Sequence, residues 1–323
     1  MANPLSLWNV QHQKQLQETI SCAKQHKTPF AVFDADNTIW KHDLTECLLA
    51  WLEKRGLISL DRFETTLLPI PSRPRESIYG YYIRLGQLMG HSASYLWSAQ
   101  AFQGLELNQL RMEISDMMKS TEAMNVSVYE DEKLVFHPVS IPQIFPFQKE
   151  LIAELQRNGI AVWVVSASLE ELVRMVVSDP EYGIDIPPER VIGVNMLIRT
   201  KKEEIWTSAQ HRERGMKGDE FFDKDRLSGI LTHHIYAPVT WYAGKVAAIQ
   251  EWIHPTIRPL LVAGDSPNDF YMQFYANAMA GGTRLRIHRT DSHKEKLHAA
   301  IERRLGSKSA HFDPAMGWLE VSF

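Results

Sequence analysis

Asp34-Ala35-Asp36-Asn37-Thr38 sets two carboxylates two residues apart, directly after the apolar run Phe30-Ala31-Val32-Phe33. Carboxylates in such a loop can act as nucleophiles, as proton donors and acceptors, or as hard-oxygen ligands for a divalent cation. Three further polar elements follow along the chain: Ser166, Lys245 and the loop Gly264-Asp265-Ser266-Pro267-Asn268-Asp269. Each has a plain structural alternative. Aspartates are common in turns after strands. Ser168, with Glu171 three residues on, has the form of a helix capping box. Lys245 can be a surface lysine, and Gly264 to Asp269 an ordinary turn. Their order and shared context argue for a site where no single one does.

The context is a set of apolar runs that end in polar residues. Phe30 to Phe33 ends at Asp34, Ile160 to Val165 ends at Ser166, and Pro259 to Gly264 ends at Asp265. Continuous apolar runs of this length read as buried parallel strands. Helical patterns at Phe147 to Arg157, Leu169 to Val177 and Gly244 to Ile253 lie between or beside them. Strands alternating with helices predict an α/β fold, a parallel Rossmann-like sheet with helices on both faces. Ligands of open parallel sheets bind beyond the carboxyl ends of the strands, so the polar clusters converge.

A helix-rich stretch, about 45 to 140, separates the first strand from the second. Leu44 to Lys54, Glu76 to Gln87 and Tyr95 to Lys119 are its candidate helices. The expected division is a catalytic core of residues 1–44 and 141–323 with a helical cap of residues 45–140. A second insertion is expected at about 190–240, opening on the strand-like Val191 to Ile198 and closing on Ile235 to Trp241, with Lys201 to Arg226 as a solvated arm.

The 323 residues are 44% hydrophobic and 23% charged, ordinary for a globular protein. A formal net charge of −4 gives no whole-chain attraction for nucleic acid or an anionic membrane. A local positive pocket for phosphate stays compatible with that balance. Cys22 and Cys47 cannot build a disulfide framework or a cysteine-rich zinc site and are expected to be free thiols. There is no run of 18 apolar residues to span a membrane. Met1 to Lys14 lacks the form of a secretory signal, so the expected compartment is the cytoplasm, or the periplasm for a chain stripped of its signal. His42, His233 and His234 are read as structural or surface residues, and Arg284, Arg286, His288 and Arg289 as a solvated basic edge.

Asp34-Ala35-Asp36-Asn37-Thr38, Ser166, Lys245 and Gly264-Asp265-x3-Asp269 resemble the four motifs of the haloacid dehalogenase superfamily. Within it, Phe33 to Glu46, Val164 to Val194 and Val239 to Asp265 are similar to bacterial phosphorylcholine phosphatases, including Ser168 to Val176 and Trp241-Tyr242-Ala243-Gly244-Lys245. The resemblance implies a Mg2+-dependent phosphomonoesterase acting on a small phosphorylated metabolite. Asp34 would be the nucleophile that becomes an aspartyl-phosphate, and Asp36 the general acid and then base. Ser166, Lys245 and Thr38 would serve phosphate binding and loop orientation. The metal would be held by Asp34, the Asp36 carbonyl, Asp265 and Asp269. An attacking carboxylate and a phosphate dianion repel one another, so a cation at this place is physically required.

Glu46 matches in position an acidic residue that meets the ammonium group in the phosphorylcholine phosphatases. Aromatic faces also hold quaternary ammonium, and Trp40, Glu76, Tyr79, Tyr81 and Tyr82 are the candidates nearby. The alternatives are a solvent-facing Glu46 and aromatics that fill a helical core, Trp51 and Trp97 among them. Phosphorylcholine is the expected substrate. The rivals are a phosphoserine-type or broad phosphatase, a phosphotransferase to an alcohol, and a non-catalytic phosphate-binding relative.

Overall fold

A computed structural model describes residues 5–200, 202, 204–236, 239–305 and 316–322. The two ends of the expected core, Lys201 and Glu203 of the charged stretch, and Ala237 and Pro238 lie outside the described residues.

In chain order, α1 (Val10–Cys22) precedes β1 (Phe30–Phe33), and a short β2 (Trp40–Lys41) leads into α2 (Leu44–Lys54), α3 (Ile78–Met89), α4 (His91–Gln100) and α5 (Leu107–Lys119). A hairpin of β3 (Met124–Glu130) and β4 (Lys133–Val139) follows. The chain returns through β5 (Gln143–Ile144) to α6 (Pro146–Arg157), β6 (Ala161–Leu169), α7 (Glu170–Val177) and β7 (Val191–Arg199). Next come β8 (Ile205–Trp206), α8 (Ser208–Glu213), α9 (Lys224–Leu227), β9 (Ile230–Tyr236) and α10 (Ala243–Trp252). The last elements are β10 (Leu261–Gly264), α11 (Phe270–Tyr275), β11 (Thr283–His288), α12 (Asp291–Leu305) and β12 (Trp318–Ser322).

The main sheet runs β12-β11-β10-β1-β6-β7-β8, with β9 also paired to β7. From β12 to β7 every pairing is parallel, and only β8 and β9 join antiparallel. The α/β expectation holds. Strand residues alternate between two cores, as a period of two demands. Ala31 and Phe33 enter the larger core with α1, α6 and α7, while Phe30 and Val32 pack against Ala248 and Ile249 of α10 and Met272 of α11. Among the described residues no helix is long and apolar enough to cross a membrane.

Four local expectations are corrected. Val191–Arg199 is an integral parallel strand beside β6, so it does not open an insertion, and the returning strand is Ile230–Tyr236 rather than Ile235 to Trp241. The stretch read as a solvated arm is partly core: Thr207, Ser208, Phe221 and Arg226 are buried. Arg174, Arg212 and Arg226 share an ion network there with Glu170 and Glu171, which answers their burial with opposite charge. Arg284 and Arg286 are not a solvated edge either, because β12 covers β11 and leaves both side chains buried. Lastly, Tyr95 to Lys119 is two helices broken at Gly104, whose φ of +79° suits glycine, and residues 124–139 form a hairpin. Both cysteines are free, Cys47 buried and Cys22 half-buried.

Candidate active site

β1 is central in the sheet and releases the chain at Asp34, whose N–H donates to Ala263 O of neighbouring β10 at 3.0 Å. Asn37 turns the loop with a φ of +57°, and its side-chain carbonyl accepts the His42 N–H at 3.1 Å. Asn is one of the few side chains that tolerate that region. Thr38 is fully buried, and its carbonyl accepts from Gln148 Nε2 at 2.8 Å. Its hydroxyl has no hydrogen-bond partner among the described residues, and Thr38 does not line the cleft above Asp34.

Lys245 and the two acidic loops meet at one point. Lys245, in the first turn of α10, donates from Nζ to Asp34 Oδ1 at 2.5 Å and to Asp269 Oδ1 at 2.6 Å. Burial opposes its charge, but Asp269 and Asp34 hold the ammonium well above its usual range. Asp269 accepts at Oδ2 from the N–H groups of Asp265 and Ser266, at 3.1 and 3.2 Å. This close loop explains Gly264: a Cβ there would stand 2.5 Å from that of Asp269. Tyr242 carries the strained φ of +50° just before α10, and its N–H donates to Asn268 Oδ1 at 2.6 Å. Asn268 thereby ties the lysine helix to the acidic loop.

Asp36 is held from three sides. Its Oδ1 accepts from Trp40 Nε1 at 2.8 Å and from the Leu44 N–H at 2.7 Å; its Oδ2 accepts from Ser168 Oγ at 2.6 Å. Ser168 is therefore not the capping residue of α7, whose N-cap is Leu169 with no side-chain cap bond. The strand also runs past Ser166 to Leu169, with a register shift against β7 after Val165. Ser166 and Ser168, two residues apart, line the same cleft.

Asp34, Asp265 and Asp269 present oxygens all within 4.8 Å of one another. Asp265 Oδ2 is buried without a hydrogen-bond partner among the described residues. Burial and the neighbouring Asp269 push Asp34 up to about 7. The same two influences, with Asp34 added, raise Asp265 well above the carboxylate range. Three carboxylates gathered this closely, with Asp265 Oδ2 unpartnered, form a set of hard oxygens that fits Mg2+. The carboxylate of Asp36 stands outside this set, pushed up to about 7 by burial and then by Asp43.

Above these groups a cleft of about 70 Å³ opens into a chamber of about 560 Å³. Asp43, Tyr82, Tyr95, Ser266, Asn268 and Arg289 border both. Glu46 faces the chamber beside Tyr82, and burial pushes its carboxyl up to about 7. Asp43 caps α2 through the Glu46 N–H at 2.9 Å and is also pushed up to about 7, by burial and then by Glu46. Three of the expected aromatic and acidic candidates are corrected. Trp40 is fully buried and spends its indole on Asp36. Glu76 is buried against Arg84, at 2.6 Å, and the buried Tyr81 donates to Ile70 O at 2.8 Å. Trp97 and Trp51 likewise donate to Leu67 O and Glu113.

Ser168, Asp43, Asn268 and Arg289 are site residues that reading the sequence missed. Ser168 had a signal, its two-residue offset from Ser166 on a strand. Asp43 lies close before Glu46 on the same helix entry. Arg289 had none, because its neighbours come from distant parts of the chain.

No protein-family model matches the chain. A curated relative, the phosphorylcholine phosphatase of Pseudomonas aeruginosa, is 37% identical over 306 residues, which cover 93% of this chain and 86% of the relative. Two solved structures share the fold: a functionally unknown protein from Anaerococcus prevotii, with a TM-score of 0.63, 16% identity and coverage of 93% and 91%, and a protein of unknown function from Bordetella pertussis, with a TM-score of 0.50, 13% identity and coverage of 92% and 99%.

Proposed function

The chain belongs to the haloacid dehalogenase superfamily and, within it, to the family of the bacterial phosphorylcholine phosphatases, and from that premise we propose that it hydrolyses phosphorylcholine with Asp34 as nucleophile and Mg2+ as cofactor. It is a phosphoric monoester hydrolase. The observation that carries the finer reading is an excess of acid around the two joined cavities. Asp34, Asp36, Asp43, Glu46, Asp265 and Asp269 gather there, against Lys245, Arg289 and Lys296 as the lysine and arginine side chains around the same cavities. Such a site favours ligands that bring positive charge: a metal beside the nucleophile, and an ammonium group in the chamber.

Asp34, Asp265 and Asp269, with the Asp36 carbonyl, would hold the metal, which when bound would neutralise charge on the phosphoryl oxygens. Lys245 pins Asp34 Oδ1 and leaves Oδ2 to attack phosphorus. As the new O–P bond forms, the ester P–O bond breaks and Asp36 gives its proton to the leaving oxygen. Asp36, now a carboxylate, takes a proton from water, whose oxygen attacks the aspartyl-phosphate and frees Asp34. The Ser166 hydroxyl and Lys245 bind the phosphoryl oxygens throughout. Glu46 and Asp43 meet the trimethylammonium end, with Tyr82 and Tyr95 beside it. The inserted segment of residues 45–140, helices followed by the β3–β4 hairpin, acts as the cap that supplies this specificity.

A second reading, a phosphoserine-type substrate, draws support from Arg289, His293 and Lys296 on the chamber wall, which suit a carboxylate. Phosphate release from phosphorylcholine, phosphoserine and p-nitrophenyl phosphate, with Mg2+ or with chelator, separates the two. The expected result is a magnesium-dependent preference for phosphorylcholine, with its KM raised about tenfold by Glu46→Gln. Equal rates on all three substrates would leave a broad phosphatase and remove the choline assignment.

A further inference from the structure

Arg289 stands where three cavities meet: the cleft above Asp34, the chamber of Glu46, and a basic recess of about 240 Å³ beside Lys41 and His42. Its side chain is 43% exposed, and its Nη1 lies 3.6 Å from Asp265 Oδ2. Partial burial opposes its charge, yet the attraction of Asp265, Asp43, Glu46 and Asp36 prevails. A guanidinium locked onto a carboxylate makes short forked bonds of about 2.8 Å. Arg84 binds Glu76 in that manner, through two nitrogens at 2.6 Å. Arg289 makes no such bond among the described residues, so it neutralises its acidic neighbours while staying free to shift.

We propose that Arg289 is a specificity-determining residue, a displaceable counter-ion of Asp43 and Glu46 that makes the chamber prefer the intact phosphorylated substrate over the free ammonium alcohol. The inference rests on the cationic-leaving-group reading above. An ammonium arriving at Glu46 repels the guanidinium. When the ligand also carries a phosphate, that phosphate lies in the adjoining cleft, which Arg289 also borders, and gives the displaced charge a new partner. A free ammonium alcohol offers no such partner. It must compete with Arg289 for the two carboxylates and is bound weakly. The product left after cleavage is therefore released, where an uncompensated pair of acids would retain it.

The test uses the whole chain and tetramethylammonium as the probe. Its Kd is measured by calorimetry for the wild type, Arg289→Gln and Arg289→Lys, beside KM and kcat for phosphorylcholine and p-nitrophenyl phosphate. Arg289→Gln is expected to bind tetramethylammonium about fivefold more tightly, the effect of removing one partly screened like charge. Its KM for phosphorylcholine should not fall by the same factor, and p-nitrophenyl phosphate should gain no affinity. Arg289→Lys keeps the charge and should stay within about twofold of the wild-type Kd; a clear tightening there overturns the proposal even if the glutamine variant does not fold. A wild-type chain that binds tetramethylammonium, with Arg289→Gln binding it no better, also overturns it. Wild type and Arg289→Gln both indifferent to tetramethylammonium would remove the cationic reading itself.

Discussion

Ser168 gives its hydroxyl to Asp36 Oδ2 at 2.6 Å, although 132 residues separate the two in the chain. The bond fixes one oxygen of the proposed proton donor, while Trp40 and the Leu44 N–H fix the other. Ser168→Ala leaves Asp36 present but less constrained. A hydrogen bond to a charged group is worth about 1.5–3 kcal/mol, so kcat should fall about tenfold or more. Steady-state kinetics with phosphorylcholine should show the loss in kcat rather than in KM.

Asp34→Asn should reduce phosphate release to background, since the amide cannot form the proposed acyl phosphate. Ser166→Ala should retain measurable turnover, lower by about a hundredfold, as for the loss of one donor to transition-state charge. A fully active Asp34→Asn chain would end the covalent route.

Magnesium should stabilise the protein most at alkaline pH. Asp34, Asp36, Asp43 and Glu46 are each raised to about 7 in the folded chain. Unfolded, such groups titrate near 4. A folded value above the unfolded one means that stability is fully present below about pH 4 and is lost as pH rises through about 7. In chelator, the contribution of these groups should therefore lower Tm between pH 6 and pH 8. Mg2+ offsets the share of that loss due to Asp34, the one of these four whose carboxylate is assigned to the metal. Thermal melts at both pH values, with and without metal, read this directly; an equal Tm gain at pH 6 and pH 8 would contradict it.

Arg174 bonds Glu170 and Glu171 in the core, on the helix that directly follows Ser166 and Ser168. Burial opposes ionisation of Glu171, but Arg174 and then Arg226 draw its pKa down to about 2. Removing one partner of a buried network leaves charge without an answer, at a cost of about 3–5 kcal/mol. Arg174→Ala should lose stability on that scale in urea unfolding. An effect below about 1 kcal/mol would mean that the remaining arginines, Arg212 and Arg226, suffice.

The strands and acids of the centre were readable because buried parallel strands are apolar along their whole length and stop where the ligand begins. Phe30 to Phe33 followed by Asp34 is such a signal, and Leu261 to Gly264 followed by Asp265 is another. Arg284 and Arg286 misled because polarity says nothing of distant cover, and β12 lies far along the chain. The hairpin did carry its pattern. Met124, Val126 and Val128 alternate with more exposed residues, but helices on its N-terminal side drew the reading toward more helix. Glu76 and Trp40 fit the substrate reading by type and by their place in the chain, and only their partners, Arg84 and Asp36, reveal that each is already spent.

One small element has a wider consequence. Trp40 pairs with Ile144 and Lys41 with Gln143, so the chain leaves for its long excursion and returns at the same place. Phe145 N–H adds a bond to Ile39 O at 3.0 Å. A polymer loop clasped at its base transmits little tension to what lies beneath. Beyond the Leu44 N–H that holds Asp36, what lies between the two short strands can be lengthened, shortened or rebuilt over generations while the carboxylates below keep their positions. That gives descent a means of exchanging diets without relearning how to break the bond.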